Sequence, residues 1–132
     1  SIINTSSTAG LRAEIPEIAP IAYCTAKAGI NIMTQIAAIE YAQYNIRVNC
    51  IAPGVHESEL GHDSPAMRNS PSDPQQAAAR EEWVKKIMDD IPMHRRGGAD
   101  ELAGLAVLLA SDASSYITGQ IFVQDGGRSV KH

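Results

Sequence analysis

The order of β-rich and helix-forming segments is the feature that most restricts the fold of this 132-residue chain. Three short β-rich runs begin at Ile2, Ile46 and Gln120, and the first two are separated by one predicted helix. Two further helices are predicted before the last run, over residues 79–91 and 102–109. Strands that are joined through helices pair in parallel by right-handed crossovers. The sequence therefore predicts an α/β fold with a parallel sheet, in the order strand, helix, strand, helix, helix, strand.

The first predicted helix, residues 23–43, has almost no charged face. Between Lys27 and Glu40 no residue is charged, and the apolar side chains point in several directions. A helix on a protein surface normally keeps one polar side. We therefore expect this helix to pack against the sheet on one side and against another helix on the other. A subunit interface is the natural source of the second covering.

Tyr23 and Lys27 stand four residues apart, and Ser7 precedes the tyrosine by sixteen residues. On a helix, residues with this spacing leave the same face with Cβ atoms about 5–6 Å apart. A cation beside a phenol favours the phenolate, which helps the tyrosine to exchange a proton. A serine hydroxyl at the end of the preceding strand can hold a substrate oxygen beside it. These three residues indicate an enzyme that moves a proton on or off an alcohol or carbonyl oxygen.

Composition argues against several classes of function. The net charge is −4 and no Lys/Arg-rich run stands out, so nucleic acid is not expected as a partner. No apolar run approaches the roughly 20 residues of a membrane-spanning helix, so no membrane partner is expected. Because no secretory apolar region stands at the start, we expect a cytoplasmic setting. There, Cys24 and Cys50 are expected to be buried free thiols, although a disulfide stays compatible with the sequence.

Five ordered segments together resemble the short-chain dehydrogenase/reductase family and span nearly the whole chain. A Tyr-x-x-x-Lys pair alone is weak support, whereas several segments in the family's order are specific. The segments comprise a Ser-Ser-Thr-Ala-Gly stretch, the Tyr-x-x-x-Lys pair, a β-rich run ending in Pro-Gly, a long turn-and-strand segment and a final Asp-Gly-Gly: residues 3–10, 23–29, 46–54, 108–120 and 125–127.

The resemblance implies a Rossmann-like, doubly wound parallel sheet and hydride transfer between a nicotinamide cofactor and a carbon that bears oxygen. Tyr23 would be the general acid/base, and Ser7 would hydrogen-bond the substrate oxygen. Lys27 would stabilise the tyrosinate and, with Tyr23, contact the cofactor at the nicotinamide ribose. The cofactor would be NAD or NADP, and the substrate a small secondary alcohol or the corresponding ketone.

The resemblance also assigns cofactor contacts after the second predicted strand. The turn at Pro53 and Gly54 would lead into a loop along the nicotinamide, and Val55 would approach the carboxamide through its backbone. Ser58 stands where the family usually has a threonine, so the contacting hydroxyl is kept and the methyl group is lost. Residues 55–91 would then form a loop and helix that cover the substrate.

The glycine-rich phosphate loop of the family has no counterpart here, because no Gly-x-x-x-Gly-x-Gly occurs in the sequence. The chain also begins without methionine, and its first residues already have strand character. We therefore expect residues 1–132 to be the C-terminal half of one Rossmann-like domain, inactive without an N-terminal dinucleotide-binding half. The spacing from Ser7 to Tyr23 is a few residues longer than usual, and the extra residues near Glu14 leave the shape of the substrate pocket open.

Alternatives to the catalytic interpretation remain. The chain can instead be a non-catalytic relative or an inactive fragment that serves as a binding or oligomerisation module, which the charge-free helix favours. The family resemblance implies a homo-oligomer, with a homotetramer as the expectation. His56 and His62 lie near acidic residues but lack a compact metal-ligand spacing, so no metal site is predicted.

Overall fold

The computed structural model describes residues 1–14, 19–57 and 74–131, with the side chains of residues 74–80 left aside. Strands and helices alternate in the predicted order. The strands are β1 (Ile2–Thr5), β2 (Val48–Pro53) and β3 (Ile121–Gln124), and the helices are α1 (Ile21–Tyr41), α2 (Pro74–Asp90) and α3 (Glu101–Ala110).

The three strands form one parallel sheet in the order β1-β2-β3. Cys50 in β2 is level with Asn4 in β1 and with Ile121 in β3. The first five residues of β2 are buried. A strand covered on both faces needs little polar alternation, which explains why its sequence is compact and mostly apolar. The predicted parallel pairing is confirmed.

Helices α1 and α3 cover opposite faces of the sheet. Asn4 donates a hydrogen bond from Nδ2 to Thr34 Oγ1 of α1 at 2.9 Å. Ser1, an odd number of residues away, donates from Oγ to the carbonyl of Leu109 in α3 at 2.7 Å. Because successive strand residues point to opposite faces, α1 and α3 must lie on different sides. This layering is that of a doubly wound α/β fold.

Helix α1 packs on the sheet with one side only. Asn31, Thr34 and Ala38 are buried on that side. On the other side four large apolar residues are more than half exposed, namely Ile32, Met33, Ile36 and Ile39. The predicted contact with the sheet is thus confirmed, whereas the described residues provide no comparable cover for the second side.

Helix α2 begins earlier than the sequence predicted. The prediction placed its start at Ala79, whereas the helix begins at Pro74. Proline is tolerated at the first position of a helix because that N–H has no intrahelical partner. Residues 74–78, which precede the predicted start of the helix, are therefore helical. Residues 58–73 of the predicted loop and helix at 55–91 lie outside the described residues.

Both cysteines are free, as predicted, but they differ in burial. Cys50 lies in β2 and is buried, and burial raises the pKa of its thiol. Cys24, next to Tyr23, is only half-buried, so the expectation that both thiols are buried is wrong for this residue. Among the described helices, none combines the length and the apolar character that crossing a bilayer requires.

Candidate active site

The carboxyl ends of the three strands meet at one edge of the sheet because the strands are parallel. Ser7 follows β1, Gly54 follows β2 and Asp125 follows β3. Gly54 donates its N–H to the carbonyl of Gln124 at 2.9 Å, and a side-chain carbon on Gly54 would lie 2.5 Å from Cβ of Asp125. This edge is where open α/β sheets bind their ligands.

Ser7 is fixed by the short 3₁₀ turn that it caps, Thr8–Gly10. Its backbone is extended, and its Oγ accepts a hydrogen bond from the N–H of Ala9 at 3.2 Å. Serine is a preferred residue at such a position because its oxygen satisfies an unpaired N–H. The hydroxyl hydrogen of Ser7 has no acceptor among the described residues, so the side chain keeps the capacity to donate a hydrogen bond.

Tyr23 and Lys27 share one face in the first turns of α1, as their spacing predicts. Lys27 Nζ lies 5.6 Å from the centroid of the Tyr23 ring, within the range of a cation–π contact. The same ammonium group donates to the carbonyl of Thr5, the last residue of β1, at 3.0 Å. Tyr23 is 38% exposed. Lys27 therefore joins the tyrosine ring to the strand end that leads into Ser7.

The turn after β1 and the second turn of α1 touch through their backbones at Gly10. A side-chain carbon on Gly10 would lie 2.6 Å from the carbonyl carbon of Lys27. Ser6 donates from Oγ to the Lys27 carbonyl at 2.8 Å, and Asn31 donates from Nδ2 to the Gly10 carbonyl at 3.1 Å. These contacts fix the position of Lys27 relative to the turn that Ser7 caps.

The predicted cofactor-binding residues after β2 lie at the same sheet edge. Pro53 ends the strand, and Gly54 and Val55 follow it. The carbonyl of Val55 accepts from the N–H of Gly97 at 3.0 Å, whereas its own N–H has no acceptor in the described part of the chain. Ser58, the remaining predicted contact, lies outside the described residues.

A cavity of about 110 Å³ opens beside this segment, between the end of β3 and the start of α3. Arg95 crosses one side of it and donates to both carboxylate oxygens of Glu101 at 2.7 Å. Hydrogen bonds from Arg95 and from the N–H of Gly98 lower the pKa of Glu101 to about 2. The charge of Arg95 is thereby matched by a carboxylate of the protein.

The described residues contain no group of three or more His, Cys, Asp or Glu side chains arranged to hold a metal ion. The backbone of His56 forms an isolated parallel bridge with Gly97, and its Nδ1 lies 3.4 Å from the carbonyl oxygen of Gly54. His62, the second histidine considered as a ligand, lies outside the described ranges.

Sequence reasoning missed a cluster of charges around the buried Arg128. This arginine binds Glu14, which is 114 positions away, and Asp90, which is 38 positions away. Local spacing carries no signal over such separations. In the sequence, Arg128 is only an arginine that follows the Asp-Gly-Gly turn at the end of the last strand. An arginine in such a turn is ordinarily exposed to solvent, so the sequence did not indicate a buried one.

Known proteins similar to this chain were found by family, by sequence and by structure. Residues 1–129 match the family described as enoyl-(acyl carrier protein) reductase. The 3-oxoacyl-[acyl-carrier-protein] reductase of Chlamydia trachomatis is 40% identical over 127 residues, 96% of this chain and 44% of the relative.

Two solved structures are similar over 99% of the chain. A short chain dehydrogenase from Bacillus anthracis has a TM-score of 0.75 and 35% identity, and 45% of it is covered. A gluconate 5-dehydrogenase from Burkholderia cenocepacia, in complex with NADP and tartrate, has a TM-score of 0.77 and 34% identity, and again 45% of it is covered. The chain thus spans a little under half the length of these proteins, and its fold is Rossmann-like.

Proposed function

The chain belongs to the short-chain dehydrogenase/reductase family, and from this premise we propose that the full-length protein interconverts a secondary alcohol and a ketone with NAD or NADP. The observation that carries the proposal is the position of Lys27. Its ammonium group lies between the Tyr23 ring and the carbonyl of Thr5, at the strand end that leads into Ser7. A phenol, a cation and a hydroxyl donor can together polarise a carbonyl oxygen and protonate it while a cofactor supplies the hydride.

The donors at the strand ends suit a nicotinamide nucleotide. Lys27 uses one ammonium hydrogen on Thr5, and its other two fit ribose hydroxyls. The N–H of Val55, which has no acceptor among the described residues, fits a carboxamide oxygen, and Pro53 and Gly54 set the direction of that segment. When bound, the cofactor supplies or accepts the hydride. Binding of its adenosine and pyrophosphate is assigned to no residue of this chain.

Side chains of this chain carry out the proton transfer. Ser7 donates a hydrogen bond to the substrate carbonyl oxygen and so polarises it. Tyr23 gives its hydroxyl proton to that oxygen as negative charge develops there. Lys27 then stabilises the tyrosinate by its positive charge. In the oxidative direction the tyrosinate removes the proton from the alcohol.

We propose in addition that the protein is a cytoplasmic homo-oligomer, a dimer or a tetramer. The exposed apolar side of α1 supports association, because its four large side chains lie within about two turns of the helix. Free thiols at Cys24 and Cys50 agree with a reducing compartment.

Replacement of Tyr23 by phenylalanine in the full-length protein tests the proposed role. Removal of the general acid should lower turnover at least about 10²-fold, with binding of the reduced cofactor retained. Turnover is followed by the near-ultraviolet absorbance of the reduced nicotinamide on a panel of alcohols and ketones. Tyr44→Phe, at an exposed position beyond the end of α1, is the matched control and should keep full activity. Unchanged turnover in the Tyr23 variant would remove the assignment.

A further inference from the structure

Arg128 is a charged residue in a buried position, with 5% of its surface exposed. It begins a 3₁₀ turn immediately after β3. Gly126 and Gly127 precede it with φ of 66° and 88°, which glycine adopts without strain. Asp125 holds this turn by accepting the N–H groups of Gly127 and Ser129. The backbone therefore directs the Arg128 side chain inward.

The Arg128 guanidinium binds two carboxylates. Its two terminal nitrogens donate to the two oxygens of Glu14 at 2.9 and 3.0 Å, and its Nε donates to Asp90 Oδ2 at 2.8 Å. The Glu14 side chain is only 4% exposed. Arg12 adds a contact to Glu14 at 3.1 Å and donates to the Arg128 carbonyl at 3.0 Å. We call these four residues the Arg128 cluster.

The Arg128 cluster joins three segments that are far apart in sequence. Glu14 ends the described loop after the turn capped by Ser7, Asp90 ends α2, and Arg128 follows β3. A buried ion pair adds little net stability, but leaving one partner unpaired is costly. Arrangements that separate Glu14 from Arg128 are therefore disfavoured, and the loop and the end of α2 are held in one relative position.

We propose that Arg128 is a positioning residue that fixes residues 11–14 and the end of α2 as one wall of the substrate site. The inference rests on the proposed function, since residues 11–14 directly follow the turn that Ser7 caps and α2 belongs to the segment expected to cover the substrate. Lys27 is anchored separately, by Thr5 and Ser6. Loss of the Arg128 contacts therefore moves the substrate wall and leaves the proton-transfer groups in place.

The kinetic test uses the full-length protein with Arg128→Met and Arg128→Lys. Arg128→Met should raise KM for the ketone about tenfold. The values of kcat and of Kd for the reduced cofactor should change less than about twofold, because a higher KM with unchanged kcat indicates that only substrate binding is weakened. Arg128→Lys keeps the charge but loses the two-pronged geometry, so an intermediate KM is expected. Lys131→Met is the matched control, because Lys131 approaches the same Asp90 from an exposed position and should leave KM unchanged.

A second measurement does not depend on activity. Amide hydrogen exchange in Arg128→Met should accelerate in residues 11–14 and at the end of α2, while the amides of β2 keep their protection. An unchanged KM in the folded variant, or faster exchange in β2 together with weaker cofactor binding, would overturn the proposal, since the first shows no positioning and the second a general loss of structure.

If Arg128→Met does not fold, the reciprocal exchange Glu14→Arg with Arg128→Glu decides. Recovery of folding and of a KM nearer that of the parent supports the pairing, and a double variant no better than the single ones rejects it. Failure of the proposed function is seen separately, as turnover that survives Tyr23→Phe. The exchange pattern would then still decide whether Arg128 holds the loop and α2 together.

Discussion

Replacement of Gly10 by alanine tests whether close backbone contact positions the site. The added carbon would lie 2.6 Å from the carbonyl carbon of Lys27 and 2.8 Å from the carbonyl oxygen of the same residue. Carbon atoms in contact normally stay about 3.5–4.0 Å apart, so the turn and α1 must separate by about 1 Å. Both neighbours are backbone atoms of a helix, which cannot rotate away as a side chain can.

The expected cost of Gly10→Ala has two parts. Overpacking of this kind lowers the free energy of unfolding by about 1–3 kcal/mol. The hydrogen bonds from Ser6 to the Lys27 carbonyl and from Asn31 to the Gly10 carbonyl span the same gap, and each is worth about 1 kcal/mol. Because a displacement of about 1 Å can reduce turnover about 10²-fold, activity should fall more steeply than stability.

Denaturant unfolding and turnover of the full-length protein measure the two effects side by side. Gly29→Ala is the matched control, since it makes the same change in α1, two residues from Lys27, and the added carbon would meet no atom within 4 Å apart from its chain neighbours and the backbone of its own helix. In a helix interior alanine is favoured over glycine by about 0.5–1 kcal/mol, so this control should be stabilised. Equal stability and activity of the two variants would refute the reasoning from the Gly10 contact.

Two further predictions concern charge and association. Glu101→Gln should lower thermal stability slightly at neutral pH: the pKa of Glu101 is held at about 2, against about 4.5 when unperturbed, so its contribution is present above about pH 4.5 and is lost as pH falls to about 2. Melting curves across this range should converge at acid pH, and a difference that persists there would contradict the assignment. Ile36→Glu on the exposed side of α1 should shift the full-length protein to a smaller species in light scattering, whereas a parent protein that is already monomeric would disprove the association.

Elements whose burial or periodicity is strong were predictable from sequence alone. Strand β2 and helix α1 lie within about two residues of their predicted positions. A short β-rich run that ends in Pro-Gly is typical of a strand, and a long segment of helix-forming residues is typical of a helix. The start of α2 was missed, since Pro74 was interpreted as a loop residue although proline also begins helices. The sequence showed that α1 lacks the usual charged face. It did not indicate which residues or subunits cover the apolar side that the structure leaves exposed.

In the candidate site, too, features set by local sequence were predictable and contacts between distant segments were not. The shared face of Tyr23 and Lys27 follows from helical spacing. The choice of Ser7 among the neighbouring hydroxyl residues, and the catalytic interpretation of all three, came from the resemblance to the family. The close approach at Gly10 and the contacts of Arg128 arise between segments distant in sequence. Neither residue type nor spacing encodes these contacts, because they depend on where the folded chain places the partner.

Lys27 and the loop that follows Ser7 are held by separate sets of contacts. The groups assigned to proton transfer are held by contacts between β1 and α1: Lys27 binds the Thr5 carbonyl, and Ser6 binds the Lys27 carbonyl. The loop that continues from Ser7 is held instead by Arg128, which comes after the last strand. If residues 11–14 and the end of α2 form the proposed substrate wall, substitutions around Arg128 reshape it without moving Lys27. A fold with such separate supports can keep one reaction while its substrate changes, which is the behaviour expected when function depends on loops placed on a rigid sheet.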